Sequence, residues 1–74
     1  MELRIGDFVY IKESIIDKKV QDLLIAQQNR SAMRWDSYRN FKFEILGVDA
    51  ESLIILRDPD ANEIHISKRA LEPE

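Results

Sequence analysis

The sequence predicts a mainly β fold of the α+β class, in which one helical insertion at about residues 14–38 interrupts the strands. Three observations predict it. Aromatic Phe8 and Tyr10 alternate with aliphatic Val9 and Ile11, and apolar and polar residues alternate from 41 to about 48, the period of a half-buried strand. The apolar run Leu53–Leu56 lies between two turn-forming segments, DAES and DPDAN, the outline of consecutive antiparallel strands. From Ile16 to Gln27 the apolar spacing changes to three and four, the period of one helix face.

The elements follow in order. LRIGDFVYIK at 3–12 reads as a first strand with Gly6-Asp7 as its bend, Phe8 and Tyr10 sharing one face. SIID at 14–17 fits a capping box, which predicts a helix over about 15–29 with Ile16, Val20, Leu23 and Leu24 as its apolar stripe. From 30 to 38 the period is unclear, and the helix either continues or breaks at Ser31 and restarts. A second strand places Phe41, Phe43 and Ile45 on one face and ends near Val48. DAES at 49–52 makes a tight connection to LIIL. In DPDAN, Pro59 pre-sets φ and Asn62 tolerates a left-handed conformation. Glu63–Ser67 is a short strand with Ile64 and Ile66 inward. KRALEPE closes with one helical turn and a last strand around Leu71.

Composition sets the bounds. Leu, Ile, Val and Phe supply 23 of 74 residues, above the roughly 20% below which chains stay disordered. No apolar run exceeds four residues, far from the ~20 that a membrane-spanning helix needs. MELRIGDF lacks a basic start followed by an apolar stretch, so no signal peptide is expected. With no cysteine there is no disulfide framework or thiolate metal site, and a cytoplasmic location is the expectation. A single domain, 1–74, is expected, since no linker or repeat divides it. A net charge of −3 opposes general nucleic-acid binding, whose affinity comes from neutralised phosphates. The charge is uneven, however. Residues 17–40 carry five basic and three acidic side chains, and the remainder carries six basic and eleven acidic.

Strand, helical insert, three antiparallel strands, helical turn and short strand form an order that resembles the Src-homology-3-like small β-barrels. HISKRALEP is similar to their passage through a 3₁₀ turn into a fifth strand. The resemblance covers 3–12 and 39–73 and implies a five-stranded antiparallel small barrel, with 14–38 replacing the usual long first loop. The family's ALYDY-type residues and paired tryptophans are absent, so proline-peptide binding is not implied. If Leu53 and Ile55 face the barrel interior, Ile54, Leu56, Leu46 and Val48 form an outer strip, and the helix stripe is its cover. Four such aliphatic side chains contribute on the order of 6–12 kcal/mol gross on burial.

Chemistry is sparse. His65, the one histidine, alternates outward with Glu63 and Ser67, and no glycine-rich turn flanks Ser52 or Ser67. No catalytic residue is expected, and the chain is read as no enzyme. DPDANE at 58–63 spaces oxygens like a calcium loop but has Glu63 where that loop needs glycine and Arg69 where it needs glutamate. No metal and no cofactor are expected. The segment NRSAMRWDSYRNF gathers Arg30, Arg34, Trp35, Tyr38 and Arg39, residue types that dominate interface hot spots. Two readings of Trp35 stand: a plug for the barrel end among solvated arginines, or a docking ring. The docking reading makes this a small accessory or regulatory interaction module whose basic-aromatic insert binds a protein with an acidic surface. A homodimer is one alternative, and a nucleic-acid binder whose arginines and rings stack on bases is another. No membrane partner is expected.

Overall fold

The first strand begins where Gly6 turns the chain. Gly6 takes φ 91°, and the Asp7 N–H donates to the Arg4 carbonyl at 3.0 Å, so residues 4–7 form a tight turn. The structure, a computed structural model, describes residues 3–74. Strands β1 (Phe8–Ile11), β2 (Phe43–Val48), β3 (Ile54–Arg57), β4 (Glu63–Ile66) and β5 (Leu71–Pro73) form one antiparallel sheet in the order β4-β3-β2-β1-β5. Helices α1 (Glu13–Ile25) and α2 (Asn29–Asp36) fill the β1–β2 connection, and a 3₁₀ turn at Lys68–Ala70 precedes β5. The α+β expectation holds.

The expected barrel does not close. β4 and β5 are the sheet's two edges and share no ladder. The sheet is nonetheless curled. Laid flat, its four interstrand gaps of about 4.8 Å would separate those edges by roughly 19 Å. The chain from Ile66 to Leu71, shortened by a 3₁₀ turn rising only about 2 Å per residue, cannot span that.

The concave face carries the core. Val9, Ile11, Phe43, Ile45, Ile54, Leu56 and Leu71 are buried, with Ile64 and Ile66 packed beside them. The expected parity of LIIL is therefore reversed: Ile54 and Leu56 point inward, while Leu53 and Ile55 are half-buried on the other side. A run of four aliphatics has no polar residue to mark its outer face, so its surroundings decide. Asp49 Oδ1 accepts from the Leu53 N–H at 2.9 Å, which keeps Leu53 in the turn and starts the strand at Ile54. Leu56 then pairs across from Ile45 and Ile64. A register shift between Ile45 and Gly47 leaves Leu46 unmatched.

Both hairpin turns of the β2-β3-β4 meander use one device. Asp49 Oδ1 accepts from the N–H groups of Glu51 and Leu53, and Asp58 Oδ1 accepts from those of Asp60 and Asn62. In each turn the fourth residue is left-handed, Ser52 at φ 65° and Ala61 at φ 64°. The conformation expected at Asn62 thus falls on Ala61. Asn62 instead closes the turn, its carbonyl accepting from the Asp58 N–H at 2.8 Å.

The insert holds two helices rather than one over 15–29. α1 starts at Glu13: the Lys12 carbonyl accepts from Ile15 and Ile16, so Ser14 is already inside the first turn and the expected capping box is unused. The break comes at Gln27, φ 59°, and Ser31 lies within α2. The N–H groups of Gln27 and Gln28 return to the carbonyls of Leu24 and Leu23, a Schellman ending made without glycine. Only Ile16 of the expected stripe is fully buried. Val20 and Leu23 are half-buried and Leu24 is 52% exposed. The helices pack chiefly on each other as an αα-hairpin, and the described molecule measures 35 × 23 × 21 Å.

Candidate docking surface on the helical hairpin

Tyr38 follows α2 and enters the core, 1% exposed, with its hydroxyl donating to Asp58 Oδ2 at 3.2 Å. Its ring meets Trp35 and Phe43 edge-on, both at 5.2 Å between centroids. Burial, then the adjacent Asp58 carboxylate, push its phenol up to about 12. Tyr38 therefore fastens the hairpin to the β3–β4 turn. It presents nothing to a partner, which corrects its expected place in the docking set.

Arg39 leaves that set for a different reason. Its Nε bonds Asp36 Oδ1 at 2.8 Å, its Nη1 pairs with Asp17, and Glu13 lies 3.6 Å away. Hydrogen bonds to Asp36 and then Asp17 hold its guanidinium above even its usual high value. One cation thereby ties the start of α1 to the end of α2.

Trp35 lies between the two readings left open for it. It is half-buried against the core cluster, and Lys19 Nζ sits 5.6 Å from its ring centroid. Arg30 and Arg34 stay exposed, one turn apart on α2, and neither has a carboxylate within ion-pair reach among the described residues.

The structure adds residues that sequence reasoning missed. Leu24, Ile25 and Met33 are 52%, 75% and 73% exposed on the hairpin. Val20 and Leu24 of α1, Ala32, Met33 and Asp36 of α2, and Ser37 just after it line an open groove of about 430 Å³. The signal was partly available: at 100° per residue Ile25 falls far from Ile16 and Val20, off any common stripe. The exposure of Leu24 depends on how α1 tilts, which its own spacing does not state.

A smaller cleft of about 230 Å³ lies between β1, β5 and the start of α1, where Tyr10, Glu13, Arg39 and Glu72 meet. On the sheet's other face His65 Nδ1 and Asp49 Oδ2 are 2.7 Å apart. The His65 hydrogen bond, then the Leu53 N–H, hold the Asp49 carboxyl below the usual carboxylate range. Among the described residues no serine hydroxyl bonds either member of this pair. Among them too, no helix is long and apolar enough to cross a membrane. No protein-family model, curated protein or solved structure matches this chain.

Proposed function

We propose that this protein is a non-enzymatic interaction module, an accessory or regulatory protein that docks on another protein through its α1–α2 hairpin. The observation that carries the reading is the exposure of Leu24, Ile25 and Met33 beside Arg30 and Arg34. Apolar area of this kind on a small domain marks a contact surface. The two guanidiniums, which have no carboxylate within ion-pair reach among the described residues, add the donors that fix a partner's orientation. The expected docking set thereby becomes Arg30, Arg34 and Trp35 joined by Leu24, Ile25 and Met33. The strands form the scaffold. Their order, with β5 outside β1, the 3₁₀ turn before β5 and the curl of the sheet support reading it as a Src-homology-3-like barrel left open. A cytoplasmic location belongs to the same reading, supported by the absence of cysteine.

Capture from cell extract by the tagged chain tests it, with Ile25→Glu and Arg34→Glu as separate variants. Both positions are exposed, so the fold is expected to persist in each. A captured protein lost with either variant supports the reading. Capture unchanged in both, or captured material that disappears on nuclease treatment, overturns it.

A further inference from the structure

We infer that the open edge of β4 pairs with β4 of a second copy of this chain, antiparallel about a two-fold axis at Ile64, so that the two sheets join into one. The inference uses the sheet edge and goes beyond the docking reading of the hairpin.

Hydrogen-bond parity decides which main-chain groups that edge offers. Ile45 turns its N–H and carbonyl toward the chain leading into β1, meeting the Asp7 carbonyl and the Gly6 N–H, both at 2.9 Å. Its neighbour Leu56 on β3 therefore bonds away from β2, to Ile64. The Asp58 N–H on the Asn62 carbonyl keeps the same parity. Glu63 and His65 thus point their N–H and carbonyl groups out of the sheet, and no hydrogen bond among the described residues reaches them. The β5 edge offers no such donors. The Lys12 N–H on the Ala70 carbonyl makes Tyr10 and Glu72 the next bonded pair, which turns Leu71 and Pro73 outward. The Leu71 N–H is spent on the Lys68 carbonyl, and proline has none. An unpaired strand edge is a template for another strand, and of the two edges only β4 presents it.

Side chains choose that strand. Glu63 and His65 are exposed on the outer face, and Ile64 is half-buried on the inner one. With the axis at Ile64, each Glu63 lies opposite His65 of the other copy in a reciprocal main-chain pair. The two Ile64 side chains then meet on the inner face. Across the outer face the register already runs Glu44, Arg57, Glu63, with Arg57 Nη1 at 4.0 Å from Glu44. His65 of the second copy continues that alternation of sign. Moving the axis by one residue sets Glu63 against Glu63 or His65 against His65, and in-register parallel pairing does both. The edge therefore fits its own rotated copy in one register, a contact that closes at two copies.

The pairing brings a second carboxylate to the imidazole. His65 Nδ1 is already 2.7 Å from Asp49 Oδ2. On β3, Ile55 directly across is apolar, and Arg57 faces Glu44. Two carboxylates favour the protonated ring, so association tightens as pH falls through the range in which histidine charges, about pH 8 to 5.

A four-residue edge covers far less than the ~800 Å² per partner of a stable interface, so the dimer is expected to be weak. Sedimentation velocity from about 10 µM to about 1 mM is expected to show monomer converting to dimer, more completely at about pH 6 than at about pH 8. Glu63→Gln is expected to keep the dimer and lose the pH dependence. Glu63→Pro deletes an outward donor from each copy and no ladder bond to β3, at a strand's first residue, where proline is accepted. It is expected to weaken association about tenfold or more. Ile25→Glu is expected to change nothing.

Amide exchange reads the geometry. The N–H groups of Glu63 and His65 are expected to slow as concentration rises. A monomer at every concentration, a dimer indifferent to Glu63→Pro, a pH dependence that survives Glu63→Gln, or slowing away from β4 overturns the inference. A dimer lost with Ile25→Glu overturns it and places self-association on the hairpin. A permanent monomer in which a captured protein slows those two amides overturns it in favour of a foreign strand. The docking reading fails separately: capture unchanged by Ile25→Glu and Arg34→Glu sinks it, and a dimer with the properties above still supports the edge pairing.

Discussion

Ser52 and Ala61 adopt a backbone conformation that costs a residue with a Cβ about 1–2 kcal/mol. Both are exposed and sit at the same step of two turns of one kind, so glycine relieves the cost without removing a core contact. Ser52→Gly and Ala61→Gly are each expected to raise stability by about 0.5–1 kcal/mol, after glycine's greater loss of chain freedom. Equilibrium urea unfolding checks this; no gain, or a loss, from both would contradict the turn geometry. Gly6 is the converse case. At φ 91°, with open space around it, its replacement by alanine is opposed by the backbone alone.

Among the elements, the β2–β3 turn and β4 are joined by the Asp49–His65 hydrogen bond as well as by their ladder neighbours. Because Asp49 is held below its ordinary range in the folded chain, it contributes stability that is complete above about pH 4. That stability drains away as pH falls through the lowered value. His65→Ala removes the first cause of the lowering. It is therefore expected to move acid unfolding to higher pH, followed by circular dichroism between about pH 2 and 6. An unchanged acid transition would show that the pair is not maintained in solution.

How much of this was legible varies by element. Strand β1, the meander β2-β3-β4 and the turn into β5 each carry local signatures: alternation, Asp-led turns and the SKRAL step. Two things were hidden. The insert's break has neither glycine nor proline to announce it, since Gln27 takes the position glycine usually holds. The inward face of LIIL has no polar marker, so its parity waited on the Asp49 hydrogen bond. In the docking set, Arg30 and Arg34 were readable as exposed cations, whereas the fates of Tyr38 and Arg39 depended on partners up to 26 residues away in sequence.

At the scale of the whole molecule, Tyr38 is the bolt between the two parts. Its ring packs in the sheet's core while its hydroxyl reaches the β3–β4 turn through Asp58, which is 3% exposed. Tyr38→Phe keeps the ring but leaves a buried carboxylate oxygen without that donor. It is expected to cost about 1–3 kcal/mol, measured by thermal or urea unfolding. The phenol also sets an alkaline limit. Its value rises from 10.0 to about 12 on folding, so the stability it lends is whole below pH 10.0 and is lost as pH climbs toward 12. Tyr38→Phe is expected to remove that part of the alkaline transition, and a phenylalanine chain with an identical profile would place the cause elsewhere.

The sequence by itself determined the class of fold, the order of the strands, the turn chemistry and an insert richer in basic and aromatic residues than the rest. These are properties of short windows, where periodicity and turn residues act on neighbours. Only the tertiary structure decided which face of β3 is inside, that the sheet stays open, and that Tyr38 and Arg39 hold the fold together. It also decided that Leu24, Ile25 and Met33 remain outside. Burial and ion pairing are settled by whatever the rest of the chain brings into contact, and that depends on segments distant along the sequence.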